Sequence, residues 1–553
     1  MTTRRDMIAR LSAEPYDILI IGGGITGAGA ARDAARRGLR VCLVEMEDLA
    51  AGTSSRSSKL VHGGLRYLEQ GEFSLVFEAV TERRILMDIA PHLVQPLGFL
   101  FPVYKSSRRS AFTVNLGMWV YDGLSLFRSP RIHRNLNRAA VAVEEPALGN
   151  DGLTGAPLYY DCSTDDARLT LETALDAGLN GATLLTWHKA VGLLRNAEGR
   201  VCGARVRDLL DGTEREVHAH AVINATGPWS DRTRAMGQGA KPRLRPTKGV
   251  HVVVDAARLR VNNAVVCFHP TDGRVLFAIP WGDRTYIGTT DTDYKDDPAQ
   301  VAASASDVDY LIAAANHYFP ASQLVRADIL STWAGVRPLI GPEEGAESSV
   351  SREHSIDVDS DFLITIAGGK LTTYRRMGAE VVDKALGLLM LAGRAPRDLR
   401  PARTDREPLP GAVGWPDSDD AAAVEKLVLE AGKGRVAPDT ARLLAHTYGT
   451  RGVDIAERAA GDQRLASRLI DGRPEILAQV DHAVHVELAA TVRDVLIRRT
   501  QVFFRDHDQG LGCTERVAAR MRELLGWSEE DESREVLAYQ AEVALSRRWR
   551  ESL

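Results

Sequence analysis

The chain has 553 residues, 44% of them hydrophobic and 26% charged, and a formal net charge of −5. That length predicts two or three domains, and the near balance of charge excludes an overall basic surface for nucleic acid. No run of 18 or more apolar residues is present to span a bilayer, and the first 17 residues hold no apolar stretch of export-signal length. The five cysteines (Cys42, Cys162, Cys202, Cys267, Cys513) form no C-x-x-C and read as reduced, mostly buried thiols of a cytoplasmic protein.

The opening stretch, DILIIGGGITGAGAARDAARRGLRVCLVE, predicts strand, glycine turn, helix and strand. Ile18 to Ile21 are unbroken apolar residues, as in a strand buried on both faces. Gly22, Gly24 and Gly27 have G-x-G-x-x-G spacing: the first for the sharp turn, the second for close approach of a pyrophosphate, the third for helix-on-strand packing. The helix N-terminus at Ile25 and Thr26 offers unpaired N–H groups to phosphate. Glu45 ends the apolar run Val41 to Val44, about 20 residues on, where an acid bonds a ribose hydroxyl. Together these predict a dinucleotide site. An early start and the tail GTSSRSSKLVHGG, suited to lie along a pyrophosphate and a flavin edge, favour FAD over NAD.

Further along, helical spacing after Tyr67 stops at Pro91. An apolar segment holding Phe112, Leu116, Met118, Trp119, Tyr121, Leu124 and Phe127 follows, flanked by Arg108, Arg109, Arg128, Arg131 and Arg134. It reads as a core helix with solvated basic ends, or as a segment dipping into an anionic membrane interface. LYYDCSTDDARLTLETALDAG predicts a strand and a helix capped by Asp165 or Asp166. Two alternating strands turn near Asp211-Gly212, and a third run, Ala221 to Ile223, ends in the small-residue turn containing Thr226, Gly227 and Trp229. From Arg243 to about Ile329 the pattern is β-rich, with runs such as KGVHVVVD and RVLFAIPW joined by short polar turns, and predicts an antiparallel substrate-side sheet. DFLITIAGGKLTTYRRMGAEVV predicts a strand, a second glycine turn (Gly369, Lys370, Leu371, Thr372) near the cofactor, and a long helix. Prolines and charges mark residues 392–416 as a linker, and residues 417–553 carry helical periodicity only. His482 and His485 share one helix spacing without further ligands nearby, so no metal site is predicted.

Five stretches carry a resemblance over essentially the full length: IIGGGITGAGAARDAARRG, GTSSRSSKLVHGGLRYLEQGEF, NATGPWSD, STWAGVRPL and AGGKLTTYRRM. SSRSSKLVHGGLRYL and GGKLTTYR are far more specific than the glycine fingerprint. The chain resembles the aerobic, FAD-dependent glycerol-3-phosphate dehydrogenases. The resemblance implies an α/β fold with a glutathione-reductase-like Rossmann FAD domain (residues 1–90, 155–242 and 330–391). It also implies an antiparallel β substrate domain (91–154 and 243–329), as in D-amino-acid oxidase relatives, and an all-α C-terminal domain. The implied reaction is oxidation of sn-glycerol 3-phosphate to dihydroxyacetone phosphate, by C2 hydride transfer to flavin N5. Electrons then pass to a membrane quinone, from an enzyme lying peripherally on the inner face of the cell membrane. A homodimer is compatible with the family.

A dianionic phosphate calls for guanidinium forks and ammonium groups. By resemblance Arg66, Tyr67, Arg352 and Lys370 hold the phosphate and Arg337 faces the reacting alcohol. His251 is the first choice of base, with His62, before two glycines, as rival or as packing for the flavin ring. The cofactor set comprises Gly22, Gly24, Ile25, Thr26, Gly27, Glu45, Thr53, Ser54, Ser55, Ser58, Lys59, His62, Gly63, Gly64, Leu65, Thr226, Gly227, Trp229, Arg337, Gly369, Lys370, Leu371 and Thr372. Two other readings compete: a soluble oxidase of the same fold using O2, on glycerol 3-phosphate or on an amine or amino acid, and a non-catalytic nucleotide sensor. Clustered cations argue against an amino acid, and the intact fingerprint argues against a sensor.

Overall fold

A computed structural model describes residues 3–11, 14–64, 71–107, 111–125, 130–237, 241–341, 353–417 and 420–552. The first sheet has Tyr16–Ile21 at its centre, parallel to Val41–Val44 on one side and to Glu214–Asn224 on the other. Thr183–Leu185 and Ile364–Gly368 extend it in parallel, and His354–Val358 closes one edge antiparallel. Ile18, Leu19 and Ile20 are wholly buried, which is why this strand carries no polar residue after Asp17. The helix Ile25–Arg36 is packed between Asp166–Leu179 and Tyr374–Leu391. The first strand thus has neighbours entering from opposite sides, and the crevice beyond its carboxyl end is where this topology binds ligands.

The second sheet is larger and mostly antiparallel, running through Leu244–Asp255, Arg284–Gly288, Val275–Trp281, Ala264–Phe268, Gln95–Leu100 and Leu153–Ser163. Ala264–Phe268 and Gln95–Leu100 pair parallel. Along Leu244–Asp255 the alternate residues Val250, Val252 and Val254 face one core, so His251 faces the other way.

Several local expectations are corrected by this architecture. Leu153–Ser163 and Ile329–Ile340, read from sequence as parts of the dinucleotide-binding segments, both hydrogen-bond into the second sheet. Buried strands of either sheet have the same apolar run, so the partner cannot be read locally. The β-rich residues 243–329 also hold a helix, Ala305–Tyr318, opened by a capping box between Ser304 and Asp307. The third run near Ala221 is the end of one continuous strand, Glu214–Asn224. The 392–416 stretch is strapped to the body, for Arg32 donates to the Thr404 carbonyl (2.9 Å) and the Glu407 carbonyl (2.5 Å), and Leu409 is buried.

Asp165 caps Asp166–Leu179 by accepting from the Arg168 N–H at 3.0 Å. The last part of the chain is helical from Ala421–Ala431 to Glu529–Arg547 and packs into one hydrophobic cluster with the second sheet. His482 is buried there 3.4 Å from Glu487. All five cysteines are free. Among the described residues no helix is long and apolar enough to cross a membrane.

Candidate active site

The glycine turn has the geometry of a phosphate cradle. Gly22 takes φ +114°, and a Cβ there would lie 2.5 Å from the Ala225 carbonyl. That contact also brings the Thr226–Trp229 turn alongside, and the Trp229 ring flanks Gly52. A Cβ on Gly27 would run into the Gly22 carbonyl. Gly24 differs: within 4 Å a Cβ would meet only Ser54 Oγ, at 3.1 Å, so this face of the backbone is open. Gly24 is also the N-cap of Ile25–Arg36 and gives that helix no side-chain cap. An open glycine at the N-cap of a helix whose first N–H is taken by Ser54, not by a cap of its own, fits a dinucleotide pyrophosphate. Glu45 Oε2 accepts the Gly23 N–H at 2.6 Å and Oε1 the Glu47 N–H at 3.0 Å. Burial pushes its carboxyl up to about 7.

The serine-rich tail runs from this cradle into a cleft open to solvent. Its walls come from three separate stretches: Thr53, Ser57, Ser58, Leu60 and His62; Arg337, Pro338 and Leu339; and Gly369, Lys370, Leu371 and Thr372. Cross-links hold the walls together. Thr53 Oγ1 donates to the Val336 carbonyl at 2.6 Å, and the His62 N–H donates to Thr372 Oγ1 at 3.2 Å. Ser54 Oγ accepts the Ile25 N–H at 2.9 Å, tying the tail to the helix end. Gly63 donates its N–H to Tyr121 Oη at 3.1 Å, in a spot too tight for any side chain, and Gly64 has φ +78°.

Strand register brings the two catalytic candidates together. His251 pairs with Trp333, and Thr247 pairs with Arg337 four residues on, so both candidates lie on one face of the second sheet. Arg337 donates to Asp291 Oδ1 at 2.7 Å, to the Thr290 carbonyl at 3.3 Å and to Thr289 Oγ1 at 2.9 Å. Its guanidinium lies against Gly249, where a side chain would collide with it.

His251 is 2% exposed, stacked on Trp333 at 4.8 Å between ring centroids, and its Nε2 is 2.9 Å from Ser58 Oγ. Burial first, then the charges of Arg337 and Lys59, hold its pKa well below 6.5, so the ring is neutral at neutral pH. His251 does not itself line the cleft. Ser58 stands between the imidazole and that space.

Two expectations need revision. Lys59 turns away from the cleft: its buried ammonium pairs with Asp166 Oδ1 at 2.6 Å, beneath the Trp333 ring. Ser55 is buried, and its carbonyl accepts from that same ammonium at 3.3 Å. Leu65, Arg66, Tyr67 and Arg352 lie outside the described residues. Asp291, Thr289 and Trp333 carry no sequence signal of their own, although Trp333 lies in the STWAGVRPL stretch.

Residues 17–375 match the model of the FAD dependent oxidoreductase family, and residues 402–532 match the C-terminal domain of alpha-glycerophosphate oxidase. The glycerol-3-phosphate dehydrogenase of Mycobacterium leprae is 40% identical over 536 residues, covering 97% of this chain and 89% of the relative. The aerobic glycerol-3-phosphate dehydrogenase of Bacillus subtilis is 38% identical over 529 residues, 95% of this chain and 94% of the relative. The crystal structure of the Bacillus halodurans glycerol-3-phosphate dehydrogenase complexed with FAD superimposes with a TM-score of 0.81 at 33% identity, covering 99% of this chain and 98% of that one. With an open cradle for a dinucleotide and relatives matched from end to end, this chain belongs to the FAD-dependent oxidoreductases, in the glycerol-3-phosphate dehydrogenase family.

Proposed function

We propose that the chain oxidises sn-glycerol 3-phosphate to dihydroxyacetone phosphate and passes the electrons to a membrane quinone. The observation that carries this reading is the convergence of Arg337, Lys370 and Ser58, with neutral His251 behind it, on a cleft that the serine-rich tail ties to the dinucleotide cradle. Bound FAD supplies the two-electron acceptor for the C2 hydride. Lys370 receives the substrate phosphate, and Arg66, Tyr67 and Arg352 complete that set on the family resemblance. Arg337, pinned by Asp291 and Thr289, stabilises the oxygen as its charge develops. The hydroxyl proton passes to Ser58 Oγ as the Ser58 proton passes to His251 Nε2. The adjacent Arg337 and Lys59 cations disfavour the imidazolium and return it to neutral after product leaves.

Peripheral membrane contact is supported by an apolar face. Phe73 and Phe77 on Phe73–Ile89, and Leu116, Trp119 and Val120 on Ala111–Leu124, are exposed at helical spacing on two touching helices. The buried side of the second helix is separately supplied by Val114, Met118 and Tyr121, so the outward residues are surplus to the core. Oxygen is the competing acceptor, because the 402–532 match is described from an oxidase.

One experiment tests the whole reading. Glycerol 3-phosphate is added anaerobically to the holoenzyme, and reoxidation by a quinone analogue is then compared with reoxidation by air. Bleaching of the oxidised flavin's visible absorbance, followed by faster reoxidation with quinone, is expected. No bleaching removes the substrate. Fast air reoxidation without quinone activity makes the protein an oxidase.

A further inference from the structure

The segment from Glu45 to Ser54 wraps the glycine turn and is held to it at three points. Glu45 accepts the Gly23 N–H at 2.6 Å, the Ala50 N–H donates to the Gly23 carbonyl at 3.1 Å, and Ser54 Oγ accepts the Ile25 N–H at 2.9 Å. In its middle sits Asp48, fully buried, and its partners come from the far end of the chain. Its carboxylate accepts from Arg498 Nε at 2.5 Å and from Arg499 Nη1 and Nη2 at 2.5 and 2.8 Å. Both arginines lie on a single π-helical turn, Asp494–Arg499, of the helical domain. That turn is itself fixed, by Arg498 on Asp494 at 2.7 Å and Arg499 on the Glu487 carbonyl at 2.7 Å. Burial raises the Asp48 pKa, but the two guanidiniums outweigh it and hold the carboxyl below its usual value. A buried carboxylate clamped by two arginines tolerates neither displacement nor loss of a partner. The segment it belongs to touches the cradle at three polar contacts, from Glu45, Ala50 and Ser54.

We infer that Arg498 and Arg499 are positioning residues of the dinucleotide site: through Asp48 they set the Glu45–Ser54 segment against the glycine turn, so docking of the helical domain and affinity for FAD are coupled. The inference needs only that FAD is bound, not the substrate or the acceptor, so it stands or falls separately from the bleaching test. Coupling of this kind is reciprocal. Loosening Asp48 weakens FAD binding, and bound FAD in turn holds the helical domain against proteolysis.

The test uses full-length protein stripped of FAD and titrated with it, following quenching of FAD fluorescence. Variants are Asp48→Asn, Arg499→Met and the charge-compensated pair of both, with Asp283→Asn as the control. Asp283 also ties the helical domain to the body, accepting from Arg505 Nη2 at 2.8 Å, but on the second sheet away from the cradle. Asp48→Asn and Arg499→Met are expected to weaken FAD binding about tenfold and to remove FAD protection of the helical domain from trypsin, with the control within about twofold of the parent. Should Arg499→Met fail to fold, Asp48→Asn, which keeps size and shape, and the compensated pair carry the comparison. Unchanged FAD affinity in the folded variants overturns the inference. So does an equal loss in Asp283→Asn, which would mean general loosening.

Discussion

The glycine turn and the cleft beside Arg337 meet along residues 53–62, yet they are assembled in opposite ways. The turn presents mostly backbone: an open glycine, a helix end and N–H groups within about one turn of chain, trimmed by Glu45 and Ser54. The cleft presents side chains, drawn from strands and turns that are hundreds of residues apart in sequence. Backbone recognition needs correct φ and missing Cβ atoms, which a short stretch supplies alone. Side-chain recognition needs register: moving Ile329–Ile340 by one residue against Leu244–Asp255 would turn Arg337 to the opposite face. Substitutions in the cleft should therefore spoil chemistry while FAD stays bound, and substitutions at the turn should release FAD.

The largest expected effect is on chemistry. Arg337→Ala should lower kcat about a thousandfold, since it removes a preorganised cation from the developing alkoxide. The flavin absorbance of the purified protein should be retained. His251→Ala should cost about a hundredfold or more, again with FAD in place. Near-normal turnover of either variant would strike that residue from the mechanism.

Gly24→Val probes the other side of the comparison. Its side chain projects toward Ser54 Oγ and open space, so folding should survive. Losing close phosphate contact should weaken FAD about a hundredfold. If the variant is pure and folded by circular dichroism but still yellow, the cradle has been misassigned. A milder change, Glu45→Gln, sets an amide against the Gly23 and Glu47 N–H groups and should weaken FAD about tenfold, read by fluorescence titration.

The smallest effect is a shift in pH dependence. His251 must be unprotonated to accept the proton, so activity should fall only on the acid side, below a pKa lying well under 6.5. Arg337 contributes to that depression, so Arg337→Gln should move the acid limb of its residual activity to higher pH. An acid limb that stays put would separate His251 from the titrating group.

Much of this architecture is local enough to be written in consecutive residues. Ile18 to Glu45 specified strand, turn, helix, strand and acid, because each depends on periodicity or on a glycine the backbone requires. The cleft walls 53–62 and 369–372 were likewise legible, through serine- and glycine-rich turns following buried strands. Tertiary structure alone decided the rest. It turned Lys59 onto Asp166, more than a hundred residues away, rather than onto a phosphate. It also put Ser58 between His251 and the cleft. Ile329–Ile340 went to the second sheet, and Asp48 to two arginines near the other end of the chain. The physical reason is common to all of these. A buried charge must find a partner, and a buried strand a neighbour, and the partner taken is whichever the packed chain brings within reach, which no local pattern encodes.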